Sequence, residues 1–571
     1  MTGLPTAPER FIRLADFATL IEALEFAATG ETGLCFHTVR GEIAEALSYR
    51  RLRDEAEALA GRLLAAGLKV GDRVGLIAET DGDFVRGFFA CQYAGMIPAP
   101  LAMPAPLGGK DAYVAQITRM LESADAAALL GPPALTAWMT ETPASVRFVG
   151  SVADLPAAAP GAQLPAITPE SPCYLQFSSG STRFPAGVLV THRALMANAE
   201  QITRHGLGVT AADRAVSWLP LYHDMGLVGF LLSPLACQMT VDMLPTEAFV
   251  RRPLLWLDLI SRNAATISFS PTFGYELCAR RAEGGRTETM DLSTWRAAGL
   301  GGDMIRSGPL GDFAERFATS GFAPGAFLAS YGMAEAALAL SMSPVGRGIV
   351  IDTLDMDRLE QDGLAVAGET AERVRDFVLC GPPLPGQELD VRTEDGATAP
   401  ERGVGRIFAR GPSLMEGYYG QPEETARVLS PDGWLDTGDL GYRAGDEIVI
   451  TGRSKDLMII NGRNLWPQDL EWTCEAELDA IRSGDVAAFS VPGDGEERVV
   501  VLVQARTRDA AVREHLESEV RRVLRARHGI EVEVRLVGAH ALPHTSSGKL
   551  SRSKARALWL SGAYDPELAR A

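Results

Sequence analysis

The chain has 571 residues, more than one hydrophobic core usually supports, so the sequence predicts one large composite domain and at least one smaller one. With 46% apolar and 22% charged residues it has the composition of a folded globular protein, and a formal net charge of −19 argues against general nucleic-acid binding or charge-driven adhesion to anionic lipid. Its seven cysteines are scattered without a C-x-x-C pair, which fits buried thiols in a reducing compartment and not a zinc or disulfide framework.

The opening "MTGLPTAPERFIRLADF" lacks a basic start followed by an apolar core, so no secretory signal is expected. An amphipathic helix is predicted over "SYRRLRDEAEALAGRLLAAG", ending at Gly67, followed by an apolar strand at "RVGLIAE", a second helix and another strand. The apolar stretch 226–244 contains Pro234, Gln238 and Asp242 and falls short of a transmembrane segment, and a cytoplasmic protein is expected. A strand, a loop bearing Gly or Pro and a helical pattern recur at "AVSWLPLYHDMG", "ATISFSPTFGYELCARR" and "AFLASYGMAEAALAL". This alternation predicts an α/β fold of parallel-rich sheets flanked by helices, with ligands at the carboxyl ends of the strands. Beyond about residue 380, "GVGRIFARGPSLMEGYYG" and "GDEIVITGRSKDLMIING" read as short alternating strands, hairpins or a small barrel-like subdomain. The remainder reads as a small, mobile α+β unit with a helix opened by Pro467, strands at "VAAFSVPG" and "RVVVLVQAR", and an amphipathic helix at "AAVREHLESEVRRVLRAR". The division expected is a large N-terminal domain, 1–452, a hinge at 453–456 and a small C-terminal lid, 457–571.

In "QFSSGSTRFPAGVLVTH", residues 176–192, the small residues Ser178, Ser179, Gly180, Ser181 and Thr182 follow one another. Converging backbone N–H groups and hydroxyls at such a run suit a polyphosphate, although a plain Ser/Gly-rich loop fits these residues equally and the Walker spacing is absent. Its companions weigh on the phosphate side. Tyr331 in "ASYGMAEAAL" offers a flat face to a base, and Glu335 is a hard oxygen ligand suited to Mg²⁺. Asp439 in "GWLDTGDLGYR" suits the vicinal hydroxyls of a ribose, Arg453 the same sugar or its phosphate, and Lys549 in "LPHTSSGKLSRSK" is a mobile point charge. Each taken singly also reads as an ordinary surface residue.

In this order and spacing the motifs resemble the adenylate-forming superfamily of acyl and aryl ligases, luciferases and peptide-synthetase adenylation domains, from about residue 15 to 560. Within it, "LQFSSGSTRFPAGVLVTHRALMAN", "SWLPLYHDMGLVG", "SPTFGYELCARR" and "CGPPLPGQEL" are most similar to the fatty acyl-AMP ligase branch. The resemblance implies that Ser178 to Thr182 cradle the β- and γ-phosphates of ATP, that Tyr331 stacks on adenine and that Glu335 holds Mg²⁺. It further implies that Gly301, Gly302 and Asp303 line the adenine slot, that Asp439 and Arg453 hold the ribose, and that Lys549 bridges the carboxylate and the α-phosphate. The loop departs from the common G-x-P-K-G by having Arg183, Phe184, Pro185, Ala186 and Gly187, a choice similar to that of the acyl-AMP ligase branch, and Ala334 stands where a threonine is common.

A fatty carboxylate is ionised at neutral pH and needs no general base. What opposes its attack on the α-phosphorus is repulsion by the triphosphate, which Lys549, Mg²⁺ and the loop donors offset. The expected product is an acyl-adenylate. Lys455, two residues after Arg453, occupies the family's pivot position, and rotation there would withdraw Lys549 and admit a thiol. An insertion is expected at about 345–376. In acyl-AMP ligases a segment about here restrains the small domain and disfavours coenzyme A, the acceptor being the phosphopantetheine thiol of an acyl carrier protein. Residues 511–556 hold ten Arg/Lys against five Glu, the sign that an acidic carrier requires, although a solvated helix face fits the run equally. For the acid, His223, Met225, Phe273 and Tyr275 are candidate walls of an acyl pocket, His223 also being placed at the reaction site and core packing being an equal reading for Met225 and Tyr275. Two rivals stand: an acyl-CoA synthetase, and a catalytically silent acyl- or nucleotide-binding protein on the same fold.

Overall fold

A computed structural model describes residues 3–6, 9, 11–104, 109–158, 163–177, 186–282, 289–460, 462–492, 497–544 and 549–564. Its centre is an eight-stranded sheet in the order Ala339–Met342, Phe327–Gly332, Ala297–Leu300, Ile267–Ser270, Arg214–Ser217, Thr240–Met243, Gly33–His37 and Ile43–Ser48. The six inner strands pair in parallel and the two edge strands are antiparallel. Inner strands such as Arg214–Ser217 and Ile267–Ser270 are buried along their whole length, as a sheet covered on both faces requires. A second, wholly parallel sheet runs Ile97–Leu101, Arg73–Ile77, Ala126–Leu130, Phe148–Gly150.

The helix expected first is Tyr49–Ala65. Ser48 caps it by accepting from the Arg51 N–H, and Leu52, Ala56, Leu59 and Leu63 recur at three- and four-residue intervals on its buried side. The chain turns away at Gly67, whose φ of +82° an L side chain rarely adopts.

One expected element differs. After the strand Phe327–Gly332, the Ala-rich run makes a single 3₁₀ turn, Ala334–Ala336, and returns as the antiparallel strand Ala339–Met342. The Met333 N–H donates to Leu338 O at 2.8 Å and closes the reversal, while all four residues of the return strand are buried at the sheet edge. Helix propensity amounts to tenths of a kcal/mol per residue, and pairing plus burial overrides it.

The small antiparallel unit predicted after residue 380 is a four-stranded sheet, Glu388–Arg392, Gly405–Arg410, Leu435–Ala444 and Glu447–Arg453. C-terminal to it, two hydrophobic clusters built only from residues 458–564 pack helices Pro467–Glu477, Ala510–His528 and Arg552–Leu560 on the sheet Val486–Pro492, Glu497–Gln504, Val532–Val537. A separate core is what an independently moving unit requires. Residues 351–378 form a ribbon, Ile351–Asp355 with Val374–Val378, carrying the helix Met356–Asp362. Leu354, Met356, Leu359 and Phe377 of this segment share a core with Tyr442, Val449 and Trp466, so it packs on both the four-stranded sheet and the start of the C-terminal unit. Among the described residues, no helix is long and apolar enough to cross a membrane.

Candidate active site

A cavity of about 1060 Å³ opens at the carboxyl ends of the central strands and beneath the C-terminal unit. The predicted residues Gly301, Gly302, Asp303, Tyr331, Glu335, Asp439, Arg453, Lys455, Lys549, His223, Met225 and Phe273 all line it. The loop 178–182 lies outside the described residues.

Asp439 and Arg453 are register partners on adjacent strands, with Arg453 Nε 3.4 Å from Asp439 Oδ1. The Tyr331 hydroxyl donates to Asp439 Oδ2 at 2.9 Å. Burial raises the Asp439 carboxyl above the usual range, against the opposing charges of Arg453, Lys455 and Lys549, and burial also drives the Tyr331 phenol well up. Burial lowers Lys455, as does the neighbouring Arg453, so the residue read as a pivot is also within the field of the site.

Glu335 sits in the 3₁₀ turn and is buried. Desolvation raises its carboxyl, and the Tyr418 O–H donates to its Oε1 at 2.9 Å. Among the described residues no group of three or more His, Cys, Asp or Glu side chains could hold a metal by itself. A single buried carboxylate on the cavity wall fits the way Mg²⁺ is held beside phosphates, through one or two carboxylates, phosphate oxygens and water.

Lys549 comes from the C-terminal unit, yet a Cβ built on Gly302, whose φ is +77°, would lie 3.9 Å from its Nζ. The lysine thus projects to the end of strand Ala297–Leu300. It also faces Asp224, where burial opposes ionisation but His223, with Nδ1 2.5 Å from Asp224 Oδ1, and Lys549 outweigh it and hold the carboxyl below its usual range.

Part of the lining is apolar. Ile202 and Phe230, from the π-helical turns Gln201–Gly206 and Val228–Leu232, join Leu207, Phe269, Leu338 and Met342 there. Met225 borders it, but Tyr275 does not, which corrects the expectation for that residue. Tyr275 follows Phe273 by two positions on helix Thr272–Arg281 and so points to the opposite side, where its O–H donates to Gly299 O at 2.9 Å and its ring packs on Trp256, Trp295, Phe313 and Phe327.

Sequence reasoning did not single out Tyr418, Asp224 or Gln176, whose Nε2 donates to Tyr222 O at 2.7 Å at the cavity wall. Asp224 adjoins His223 in "YHDMG". Tyr418 lay in "EGYYG" with no local sign that it would meet Glu335.

Residues 34–419 match the model of the AMP-binding enzyme family. The chain belongs to that family. A Caulobacter vibrioides protein, named provisionally as an acyl-CoA synthetase, is 65% identical over 563 residues, covering 98% of each chain. The medium-chain-fatty-acid–[acyl-carrier-protein] ligase JamA of Moorena producens is 32% identical over 579 residues, covering 97% of each. A solved structure from work on fatty acyl-adenylate ligases of E. coli and L. pneumophila superposes with a TM-score of 0.92 at 43% identity, covering 97% of this chain and 100% of that one. This AMP-binding enzyme is thus similar over nearly its full length to ligases that work through adenylates.

Proposed function

We propose that this AMP-binding enzyme joins a fatty acid to ATP, giving acyl-adenylate and pyrophosphate, and then transfers the acyl group to the phosphopantetheine thiol of an acyl carrier protein. The observation that carries this reading is Lys549, which a separately cored C-terminal unit delivers to Gly302, in one cavity with Glu335, Asp439 and Arg453.

In the first step a carboxylate oxygen bonds to the α-phosphorus and the bond to the bridging oxygen of the β-phosphate breaks, pyrophosphate leaving with the electron pair. Lys549 offsets the charge gathering at the α-phosphate, Asp439 and Arg453 fix the nucleotide, and the apolar lining takes the hydrocarbon chain. Mg²⁺, held at Glu335, would neutralise the phosphate oxygens. In the second step the thiol gives its proton to water, its sulfur bonds to the acyl carbonyl carbon, and the acyl carbon–oxygen bond to the phosphate breaks, AMP leaving with the electron pair.

Coenzyme A is the acceptor to be weighed against a carrier protein, because of the name that the Caulobacter relative bears. Contacts between residues 351–378 and the C-terminal unit weigh the other way. Glu360 pairs with Arg463 across that boundary, and Arg375 with Asp469, while Trp472 lies under both Arg375, at 4.9 Å, and Arg306, at 5.3 Å. A unit held on this many sides is restrained from the rotation that thiol access requires, in line with a reaction that halts at the adenylate until a carrier engages. The test is mass spectrometry of products from enzyme, Mg-ATP and a panel of fatty acids, with coenzyme A or a phosphopantetheinylated carrier. Acyl-AMP in both tubes with transfer only to the carrier supports the proposal. Efficient acyl-CoA formation moves the enzyme to the synthetase branch, and no adenylate with any acid leaves a binding protein.

A further inference from the structure

Helix Thr272–Arg281 carries Phe273, Glu276, Leu277 and Arg280 along the cavity wall, at the spacing that places them on one face. Phe273 is 38% exposed, an aromatic ring left partly in water at the rim, and rests edge-on against Trp218 with centroids 5.7 Å apart. Trp218 stacks on Phe249 at 3.8 Å, which brings helix Thr246–Arg251 alongside, and Cys278 Sγ donates to Pro253 O at 3.6 Å across the join. Around this join lie Val250, 56% exposed, and the exposed Arg251, Arg252, Arg280 and Arg281.

The charges are only partly offset. Arg251 meets Glu247 at 3.4 Å and Arg280 meets Glu276 at 3.5 Å, while Arg252 and Arg281 form no ion pair among the described residues. On a chain of net charge −19, such a basic rim with two exposed apolar side chains stands apart from its surroundings. Of the basic run expected at 511–556, exposed Lys554 and Arg556 form no ion pair among the described residues, whereas its helical part is offset. On helix Ala510–His528, Arg521, Arg522, Arg525 and Arg527 pair with Glu517, Glu519, Glu531 and Glu477, so little uncompensated charge remains there.

We infer that the rim formed by Val250, Arg252, Phe273 and Arg281 is the docking surface for the acyl carrier protein, an inference that rests on the acyl-transfer reading above. An acidic helix of the carrier lies across Arg252 and Arg281, its apolar side chains meet Val250 and Phe273, and its phosphopantetheine arm enters along the Phe273–Arg280 face toward Gly302. Complementary charge at a rim acts chiefly on encounter and on salt dependence.

The test compares Arg252→Glu/Arg281→Glu with a control, Arg521→Glu/Arg525→Glu, in acyl-AMP formation, transfer to a phosphopantetheinylated acyl carrier protein, and transfer to free pantetheine. The rim variant is expected to raise KM for the carrier about tenfold, leaving adenylate formation and pantetheine transfer within about twofold, and the control is expected to change none of the three. If the double variant does not fold, the single substitutions carry the comparison. An unchanged carrier KM in the rim variant, or an equal rise in the control, overturns the dock while leaving the transfer reading in place. A wild-type enzyme that forms adenylate yet acylates neither acceptor overturns the transfer reading and the dock with it.

Discussion

The Tyr418 hydroxyl donates to Glu335 Oε1 at 2.9 Å, joining residues 83 apart in sequence at the wall of the cavity. Burial already raises the Glu335 carboxyl, and this bond works against that shift. Tyr418→Phe is therefore expected to push the carboxyl further up, to move the acid limb of the pH–rate profile to higher pH, and to lower kcat/KM for ATP at limiting Mg²⁺ by about tenfold. Initial rates of pyrophosphate release across pH and Mg²⁺ concentration check this. An unchanged acid limb would separate Tyr418 from the ionisation of Glu335.

Lys549→Ala is expected to cut adenylate formation by about 10²–10³ with little change in ATP binding, because the charge acts mainly on the transition state. Acyl-AMP yield and calorimetric ATP binding measure the two halves. Normal yield would remove Lys549 from its role.

Arg375 and Asp469 meet across the boundary between the 351–378 segment and the C-terminal unit, and burial holds Asp469 up at about 6 despite the arginine. Arg375→Met combined with Glu360→Gln loosens that boundary. If the segment restrains the unit, acyl-CoA formation should rise several-fold over wild type while adenylate formation persists, a difference read by mass spectrometry. Equal acyl-CoA yields would show that acceptor choice is set elsewhere.

His192 is buried, its Nδ1 accepting from the Leu20 N–H at 3.1 Å, and desolvation lowers its pKa to about 4. The folded state therefore binds fewer protons than the unfolded state between about pH 4 and 6.5, and stability falls as pH drops through that window. Urea midpoints at pH 7.5 and 5 should differ more for wild type than for His192→Asn, which keeps an acceptor without the titration. Equal pH sensitivity in the two proteins would contradict the assignment.

Tyr275→Phe removes a buried hydrogen bond to Gly299 O and should cost about 1 kcal/mol of stability. Because the ring faces the core and not the cavity, the distribution of fatty acids accepted should not change. A shifted chain-length profile would return Tyr275 to the acyl pocket.

The alternation of strands and helices was legible because buried parallel strands and amphipathic helices leave distinct periods, as at Ile267–Ser270 and Tyr49–Ala65. That Glu335, Asp439, Arg453 and Lys549 belong together was legible only from their joint order and spacing, and the fold brings all four to one cavity. Nothing local showed that residues 339–342 would be a strand. Their fate depends on pairing with 330–332, and that is a tertiary fact. Tyr418 was hidden for the same reason, since its partner is set by where Gly417–Tyr418 joins strand Gly187–Thr191. Tyr275 and Phe273 looked alike in one dimension, and only the helical turn between them sends one inward to the core and the other to water.

Asp439 and Arg453 face one another on neighbouring strands, and the very next residue, Ser454, donates its N–H back to Gly438 O at 3.0 Å as the chain leaves the sheet. The proposed hinge is thus fastened to the same short stretch of backbone that presents these two side chains to the cavity. On the reading proposed above, in which the nucleotide sits at Asp439 and Arg453 and the unit rotates at 453–456, a bound nucleotide would act as a pin through the axle, coupling the orientation of the unit to the occupancy of the site.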